Sequence, residues 1–316
     1  MTQEQRNRLQ LWLPLIVLTV LVLAVGLYDH TFFSVSNFLS VTGDTMTLFL
    51  MAAGVTMVIM MGGIDLSVQA TASMASCILA AYLPRYGIFA VPLAVLGGVA
   101  AGFAGGFVST RLRIPSFIAT LAVSGVVLSA GYWFSETRSI NIPADLRNSY
   151  LGWAVGDTLG VPHEIWVGVV FLVILSAILQ LTPFGRLVRG IGAQERAVIA
   201  SGIDVDRTKI AAYTLSGTMA GIAGVVMAAR LGSGSPTLAN EFLLPAIASI
   251  VVGGTAITGG VGSIWRTFVG ALIVQVVRIG MTFMGVSVFA QQIVFGFILV
   301  AAVAITMDRA KVLVIK

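Results

Sequence analysis

Charged residues are scarce in this sequence. Only 10% of its 316 residues are Asp, Glu, Lys or Arg, 58% are hydrophobic, and the mean hydropathy is +1.00. Soluble domains carry about 25% charged residues, so the composition excludes an ordinary globular protein and predicts an all-α polytopic membrane protein. The net charge of +5 does not indicate nucleic acid as a partner, because the cations concentrate on one side of the predicted membrane.

Cysteine, lysine and histidine are also rare. The single cysteine, Cys77, excludes an intrachain disulfide framework. None of the three lysines follows a glycine, so the chain has no Walker A loop with which to hydrolyse ATP. Both histidines lie in predicted outer loops, and Asp65 has no evident carboxylate partner within the membrane, which leaves no Ser-His pair, histidine metal site or aspartate dyad. We therefore predict a non-enzyme that binds no metal or cofactor.

Long apolar runs dominate the sequence instead. A helix of roughly 17–25 apolar residues crosses a hydrocarbon core of about 30 Å. The first run resembles a signal peptide, but no small-x-small cleavage site follows it, so we predict an uncleaved span. Ten spans are predicted, at about 11–28, 44–61, 66–83, 88–109, 115–134, 164–182, 210–230, 243–258, 266–285 and 289–306.

The cations predict the orientation of these spans. With a cytoplasmic N-terminus, thirteen of the 18 Lys and Arg residues lie inside and four lie outside, as the positive-inside rule requires. Removing one middle span would invert everything after it, so we predict ten spans with both termini in the cytoplasm. Five spans precede and five follow an outer, periplasmic loop at 135–163, so any internal duplication is an inverted five-plus-five repeat. That loop is either a surface-lying amphipathic piece, a plug or a solvated connector.

A glycine-rich segment at 62–69 is the most polar sequence within the predicted membrane. Gly62 and Gly63 let the backbone turn, and Asp65 or Ser67 can then cap the next helix. Such a break is tolerated at membrane depth only where protein or a water-filled cavity covers it. The segment is interpreted either as the lining of a polar path or as a capped re-entrant turn. Arg278, inside the ninth span, either lines the path or snorkels to the outer surface.

Two glycine motifs predict close helix packing. Gly98-x3-Gly102 and Gly217-x3-Gly221 each place small residues on one helix face, where neighbouring helices approach closely.

Several segments together resemble one family. They are MMGGIDLSV (60–68), LRIPSFIATLAVSGVVLSAG (112–131), FGRLVRGIGAQERAVIASGIDVDRTKIAAYTLSGTMAGIAGVV (184–226) and AIASIVVGGTAITGGVGSIW (246–265). In this order they resemble the membrane permeases of bacterial ribose-type sugar ABC importers. The resemblance implies a multi-pass inner-membrane subunit that works as a pair. It also implies two kinds of partner, a cytoplasmic ATP-binding cassette ATPase that uses the ATP and a periplasmic sugar-binding protein.

The longest polar interval, a predicted cytoplasmic loop at 184–209, holds five cations and an alanine-rich centre that predicts a short helix. On one interpretation the cations only set topology and meet anionic lipid. On the other, the part at 192–203 resembles the family's coupling helix, whose small residues suit a groove in the ATPase. The residues assigned to coupling are Gly192, Ala193, Gln194, Glu195, Arg196, Ala197, Ala200 and Gly202.

The predicted function is that of the permease subunit of such an importer, working by alternating access. The candidate path residues are Gly62, Gly63, Asp65, Ser67, Gln69 and Arg278; Gln69 stands where the family commonly has glycine. The alternative is a stand-alone secondary transporter or channel that uses Asp65 as an ion or proton site. The sequence does not predict which sugar or polyol is carried.

Overall fold

The computed structural model describes residues 3–306, with side chains from residue 13 to residue 304. The predicted cytoplasmic tail at 307–316 lies outside the described residues. Within them the protein is almost wholly helical, with twelve α-helices and three short 3-10 helices at His30–Phe33, Gly87–Phe89 and Asn240–Phe242. The α-helices are α1 Gln3–Tyr28, α2 Val35–Met60, α3 Val68–Tyr86, α4 Ala90–Arg111, α5 Ser116–Ser135, α6 Ala144–Val155, α7 His163–Leu181, α8 Pro183–Ala200, α9 Val205–Leu231, α10 Leu243–Val252, α11 Ile264–Phe283 and α12 Val288–Thr306.

Each of the ten predicted spans coincides with one α-helix, and α6 and α8 lie in the two predicted loops. The apolar helix that ends at Val252 is shorter than a full span. The prediction of an all-α multi-pass membrane protein is confirmed, while the number of crossings remains a prediction. Six described stretches are long and apolar enough to cross a membrane, the second containing both α3 and α4: Val35–Met60, Val68–Arg111, Ser116–Ser135, His163–Leu181, Val205–Leu231 and Ile264–Phe283.

Helix α10 differs most from its predicted span. It ends at Val252 rather than at residue 258, and ten residues rise only about 15 Å, half of a hydrocarbon core. The reason lies in the glycines that follow. Gly254, Gly259 and Gly260 have φ angles of +89°, +89° and +82°, a conformation that ends a right-handed helix and favours glycine.

Helices α2 and α9 form the centre of the fold. Every residue of α2 from Thr45 onwards is buried, and this helix packs against α7, α9, α10 and α11. Helix α9 packs in addition against α3 and α4. A Cβ atom added to Gly98 of α4 would collide with the carbonyl oxygen of Gly217, and one added to Gly217 would collide with that of Gly98. The close packing predicted from the two glycine motifs is therefore confirmed.

The predicted outer loop folds over one end of the helices. Strand β1 (Ile140–Asn141) pairs antiparallel with β4 (Ser233–Gly234), and β2 (Asp157–Thr158) pairs with β3 (Val161–Pro162). Between them α6 packs on α7 and α9. We call this end of the molecule the α6 end and the opposite end, where α8 lies, the α8 end. Helix α2 runs from the α6 end to the α8 end.

Candidate functional site

The chain passes from α2 to α3 through a short irregular break at the α8 end. Gly62 has a φ angle of +78°, which favours glycine. The backbone N–H groups of Ile64 and Leu66 donate to the hydroxyl oxygens of Ser116 (3.0 Å) and Thr120 (3.1 Å), one turn apart on α5. Because these hydroxyls replace the missing helical hydrogen bonds, the polar backbone of the break is satisfied by protein rather than by lipid or water.

Asp65 holds the break to two helices. Its Oδ1 atom accepts from the backbone N–H (2.9 Å) and the hydroxyl (2.6 Å) of Ser67, the residue before α3. Its Oδ2 atom accepts from the hydroxyl of Ser216 on α9, at 2.8 Å. The side chain is fully buried. The predicted cap is therefore wrong in detail: neither side chain accepts from a free N–H group of α3, and Asp65 instead accepts from the N–H and hydroxyl of Ser67, the residue before the helix.

Helix α8 consists of two pieces. Gln194 has φ −161° and ψ 85°, so the helix is broken there and a separate last turn follows. Gly192, just before the kink, lies against the end of α2, where an added Cβ atom would collide with the carbonyl oxygen of Met60. The last piece is held to α9 by Glu195, whose Oε1 atom lies 2.7 Å from the Nζ atom of Lys209. The short helix predicted for this loop is therefore present, with a kink at its centre.

The last piece of α8 and the turn after it leave a mixed surface open. Ile199 is 54% exposed and Ile203 is 37% exposed. Exposed large apolar side chains beside small residues are typical of a surface that another protein covers. The exposed small and polar residues of the same surface are Ala193, Gln194, Arg196, Ala197, Ala200, Ser201 and Gly202. We call this set, with Ile199 and Ile203, the α8 surface.

A cavity of about 600 Å³ lies between the break and the last piece of α8, and Ile199 of the α8 surface is one of the residues that line it. Gly62 and Gly63 line one side of the cavity, and Glu195 and Lys209 line the other. Tyr213, one turn beyond Lys209 on α9, also lines it, and its hydroxyl would be 2.5 Å from a Cβ atom added to Gly63. Helix α9 therefore contacts both the coupling candidates and the break.

A larger cavity, of about 830 Å³, lies at the α6 end. Arg278 lines it, with one guanidinium nitrogen 3.5 Å from Glu241 and the guanidinium carbon 5.3 Å from the centre of the Phe242 ring. On the opposite wall, Arg230 of α9 forms an ion pair with Asp44 of α2. Charged side chains within a membrane protein require water or protein partners, and each of these two arginines is paired with a carboxylate.

The Arg230–Asp44 ion pair belongs to a wider network. The Arg230 guanidinium also lies 3.5 Å from Glu164 at the start of α7. The amide of Gln275 on α11 donates to the Oδ2 atom of Asp44, at 3.2 Å. Four helices thus meet through one charged group, and the network fixes where the Arg230 and Gln275 side chains stand on the cavity wall.

The structure separates the predicted site residues instead of gathering them into one site. The glycines of the break share the α8-end cavity with Glu195, while Arg278 lies in the other cavity. Asp65 and Ser67 are buried and line neither of these two cavities, and Gln69 is partly buried in the first turn of α3.

Sequence reasoning missed candidate functional residues at both the α8 end and the α6 end. Ile199 and Ile203 have a sequence signal, because two large apolar residues four apart stand out in a polar loop. Tyr213 and Gln275 have none, because their roles depend on which helices become neighbours.

An all-α membrane protein with a polar cavity at each end is typical of a transport protein. Comparison with known proteins makes the class specific. Residues 37–303 match the family described as branched-chain amino acid transport system / permease component, and the chain belongs to this family.

Three relatives illustrate the match. The ribose import permease RbsC of Escherichia coli (strain K12) is 34% identical over 295 residues, covering 92% of each chain. The probable ABC transporter permease YphD of the same strain is 36% identical over 295 residues, covering 92% of this chain and 87% of the relative. The fructose import permease FrcC of Rhizobium meliloti is 32% identical over 302 residues, covering 92% and 84%. The resemblance to ribose-type sugar permeases is therefore confirmed.

Proposed function

We propose that the chain is the membrane-spanning permease subunit of an ATP-driven importer for a sugar or related polyol. The proposal places it in a bacterial inner membrane, with the α8 end in the cytoplasm and the α6 end in the periplasm. A second permease copy or homologous permease completes the path, a binding protein delivers the sugar, and a separate ATPase supplies the energy. The sugar-import names of the relatives support this assignment.

The α8 surface is the observation that carries the proposal. An apolar pair, Ile199 in the last turn of α8 and Ile203 in the turn that follows the helix, lies among small residues, and a short projecting segment of this kind suits a groove of a partner protein. A loop that only set topology would need its cations but no exposed isoleucines. Exposure of both side chains therefore supports docking of an ATPase over the alternative in which the loop is incidental.

Contacts behind the α8 surface supply a route for movement. Gly192 lies directly against the end of α2, and the Glu195–Lys209 ion pair joins the last piece of α8 to α9. A displacement of α8 by the ATPase would thus reach the break through α2 and α9 together. In this mechanism of alternating access, the ATPase moves the helices that separate the two cavities, and the path opens first to one side and then to the other.

Helix packing also supports an inverted repeat of five helices. Helix α4 packs against α9 as α11 packs against α2, and both pairs are antiparallel. In the first pair, Gly98 faces Gly217 and Gly106 faces Ile210. In the second pair, Asp44 contacts Gln275 and the Thr56 and Thr267 hydroxyls lie 2.9 Å apart. Likewise α3 packs against α4 and α5 as α10 packs against α11 and α12. In these contacts α2, α3, α4 and α5 of the first half correspond to α9, α10, α11 and α12 of the second half. An inverted repeat produces this correspondence.

The alternative of a secondary transporter with an ion site at Asp65 has less support. The carboxylate already accepts three hydrogen bonds from Ser67 and Ser216, is fully buried, and lines neither of the two polar cavities. An ion site requires free ligand positions and a path to water, and Asp65 is better placed to hold α3 and α9 together.

Reconstitution tests the proposed function. The chain would be combined in proteoliposomes with the ATPase and binding protein of a sugar importer, and sugar uptake measured with and without ATP. Ile199→Asp should abolish ATPase co-purification and ATP-driven uptake, because it places a charge at the centre of the docking surface. Stability should change by only about 0.5 kcal/mol, since the residue is exposed.

A matched control lies at the opposite end. Leu159, in the turn between β2 and β3, is 93% exposed, so Leu159→Asp introduces the same charge on an apolar exposed residue away from α8 and should leave ATPase binding intact. Equal co-purification of both variants would contradict docking at the α8 surface. Uptake driven by an ion gradient in the permease alone would contradict an ATP-driven importer.

A further inference from the structure

A third cavity, lined by apolar side chains, lies between α3, α4 and α5. Its volume is about 670 Å³, and tyrosine hydroxyls are the only polar side-chain groups among the residues that line it. Leu96 of α4 and Val126 of α5 line the cavity and are exposed, so it is open on the outer surface of these helices. We call it the α4–α5 groove. The residues of α4 that make room for it are small: Gly97, Ala100, Ala101 and Ala104.

The α4–α5 groove has the length of one membrane leaflet. It extends along α4 from residue 93 to residue 104 and along α5 from residue 123 to residue 134, a rise of about 16 Å on each helix. Tyr82 and Tyr86 lie at its α6 end, and its other end is near the middle of the helices. Half of a hydrocarbon core of about 30 Å is about 15 Å. The groove therefore runs from the membrane surface at the α6 end to about the middle of the bilayer.

The surroundings of the groove determine what can fill it. Helices α3, α4 and α5 lie in stretches that are long and apolar enough to cross a membrane. Water does not occupy an apolar cavity of this kind, and an empty groove would lose van der Waals contacts along its whole lining. In a bilayer, the hydrocarbon chain of a lipid fits both the length and the apolar walls of the groove.

An arginine lies beside the α6 end of the groove. The guanidinium carbon of Arg85 is 5.4 Å from the centre of the Tyr86 ring, which lines the groove. Arg85 is exposed and forms no ion pair with any described residue. Glu136, which lines the neighbouring cavity, is itself paired with Arg138. The donors of Arg85 are therefore open to an anion at the membrane surface, and a planar guanidinium suits phosphate oxygens in particular.

We propose that the α4–α5 groove binds an anionic phospholipid of the leaflet at the α6 end. One acyl chain lies along the groove, and the phosphate lies beside Arg85. Tyr82 and Tyr86 then stand at the level of the headgroups, where aromatic rings with a polar tip are typical. A lipid with net negative charge is favoured over a zwitterionic one, because the second headgroup charge of a zwitterion offsets the attraction of the phosphate to Arg85. The lipid thereby becomes part of the packing of α4 and α5 over α3.

A second copy of the chain is the competing occupant. A helix from another copy would cross the whole membrane, whereas the groove ends near its middle. The second copy would also have to bring a carboxylate to Arg85, while a phospholipid carries a phosphate at the required level. The half-membrane length and the free cation at one end therefore favour the lipid.

Native mass spectrometry of the purified full-length permease tests the headgroup site. The probes are phosphatidylglycerol and phosphatidylethanolamine with identical acyl chains, added to the delipidated protein in detergent. Phosphatidylglycerol should be retained in preference, and Arg85→Gln should lower that preference about fivefold, the effect of one basic residue near a membrane surface. The matched control is Arg138→Gln, which removes another exposed cation of the α6 end, one already paired with Glu136. It should leave the preference unchanged.

A second pair of variants tests the acyl-chain site. Ala100→Phe places a ring inside the groove and should cause loss of the retained phosphatidylglycerol. Ala24→Phe places the same ring on an exposed alanine of α1, outside the groove, and should retain the lipid. Because Arg85 is exposed, Arg85→Gln preserves the fold and tests the proposal even where Ala100→Phe does not fold.

Four outcomes would each overturn the lipid site. They are equal retention of the two lipids by the wild-type protein, an equal loss of preference in Arg85→Gln and Arg138→Gln, undiminished retention in a folded Ala100→Phe protein, and a dimer that forms in place of the lipid complex and is lost in Ala100→Phe. Co-purification of the ATPase does not depend on this site, so the proposed function stands or falls separately.

Discussion

The two polar cavities use charged residues in different ways. At the α8 end, Glu195 and Lys209 join two segments of the chain across the edge of the cavity, with 42% and 25% of their side chains exposed. At the α6 end, Arg230 draws together Asp44 of α2 and Glu164 of α7; the Arg230 and Asp44 side chains are 33% and 35% exposed, and only Glu164, at 9%, is buried. The Lys209–Glu195 and Arg230–Asp44 pairs are similarly exposed, and the α6-end network differs in having a third, buried member, Glu164.

This difference predicts separate roles. A solvent-exposed ion pair contributes little stability and can break and re-form as segments move. A charged network buried among helices holds them in one arrangement, because losing one partner leaves the others uncompensated. The α8 end is therefore suited to movement, and the α6 end is suited to holding its helices in one arrangement.

The largest expected effect is that of Arg230→Met. Removing the guanidinium leaves Asp44 and Glu164 close together without a cation, which should lower the free energy of unfolding by about 2–4 kcal/mol. Lys209→Met, at the other end, should lower it by only about 1 kcal/mol or less, because the acid that it leaves unpaired, Glu195, is 42% exposed, whereas Glu164 is only 9% exposed. Reversible unfolding in mixed micelles, followed by tryptophan fluorescence, measures both.

Charge removal provides the control for this comparison. Asp44→Asn and Glu164→Gln, added to Arg230→Met, should restore most of the lost stability because no uncompensated acid remains. Equal destabilisation by Arg230→Met and Lys209→Met would show that the two ends do not differ in the way proposed.

Much of the helical architecture was predictable from the sequence because lipid imposes a simple length rule. The ten helices that coincide with predicted spans follow from apolar run length, and the α4–α9 contact follows from Gly98-x3-Gly102 facing Gly217-x3-Gly221. The early end of α10 at Val252 was not predicted, because the run stays apolar beyond that residue and only the glycine φ angles reveal the break.

The candidate sites were predictable only in part. The coupling residues form a contiguous segment, so a single loop at 192–203 was enough to propose them. The α6-end cavity is assembled from distant parts of the chain, as the Asp44–Gln275 hydrogen bond shows. No local pattern connects these positions, which is why Arg278 alone was singled out there.

An intermediate effect is expected at the contact between α8 and α2. Gly192→Ala would push a methyl group into the carbonyl oxygen of Met60, which should destabilise the protein by about 1–3 kcal/mol and displace the α8 surface. Gly190→Ala, two residues earlier in the same helix, meets only the side chain of Val198 at 3.4 Å and should be nearly neutral. The measurement is the number of ATP molecules hydrolysed per sugar molecule transported. This ratio should rise for Gly192→Ala and stay unchanged for Gly190→Ala. An unchanged ratio for Gly192→Ala would show that this contact transmits no movement.

The smallest expected effect is that of Asp65→Asn, between the two cavities. The amide oxygen of Asn can still accept from the backbone N–H of Ser67, and the Ser216 hydroxyl can turn to accept from the amide, so the stability loss should be about 1 kcal/mol or less. Transport should therefore persist. Asp65→Ala removes all three hydrogen bonds and should cost about 2–3 kcal/mol. Abolished uptake in a stable, correctly inserted Asp65→Asn protein would instead favour an ion or proton site at Asp65, because only the charge has been removed.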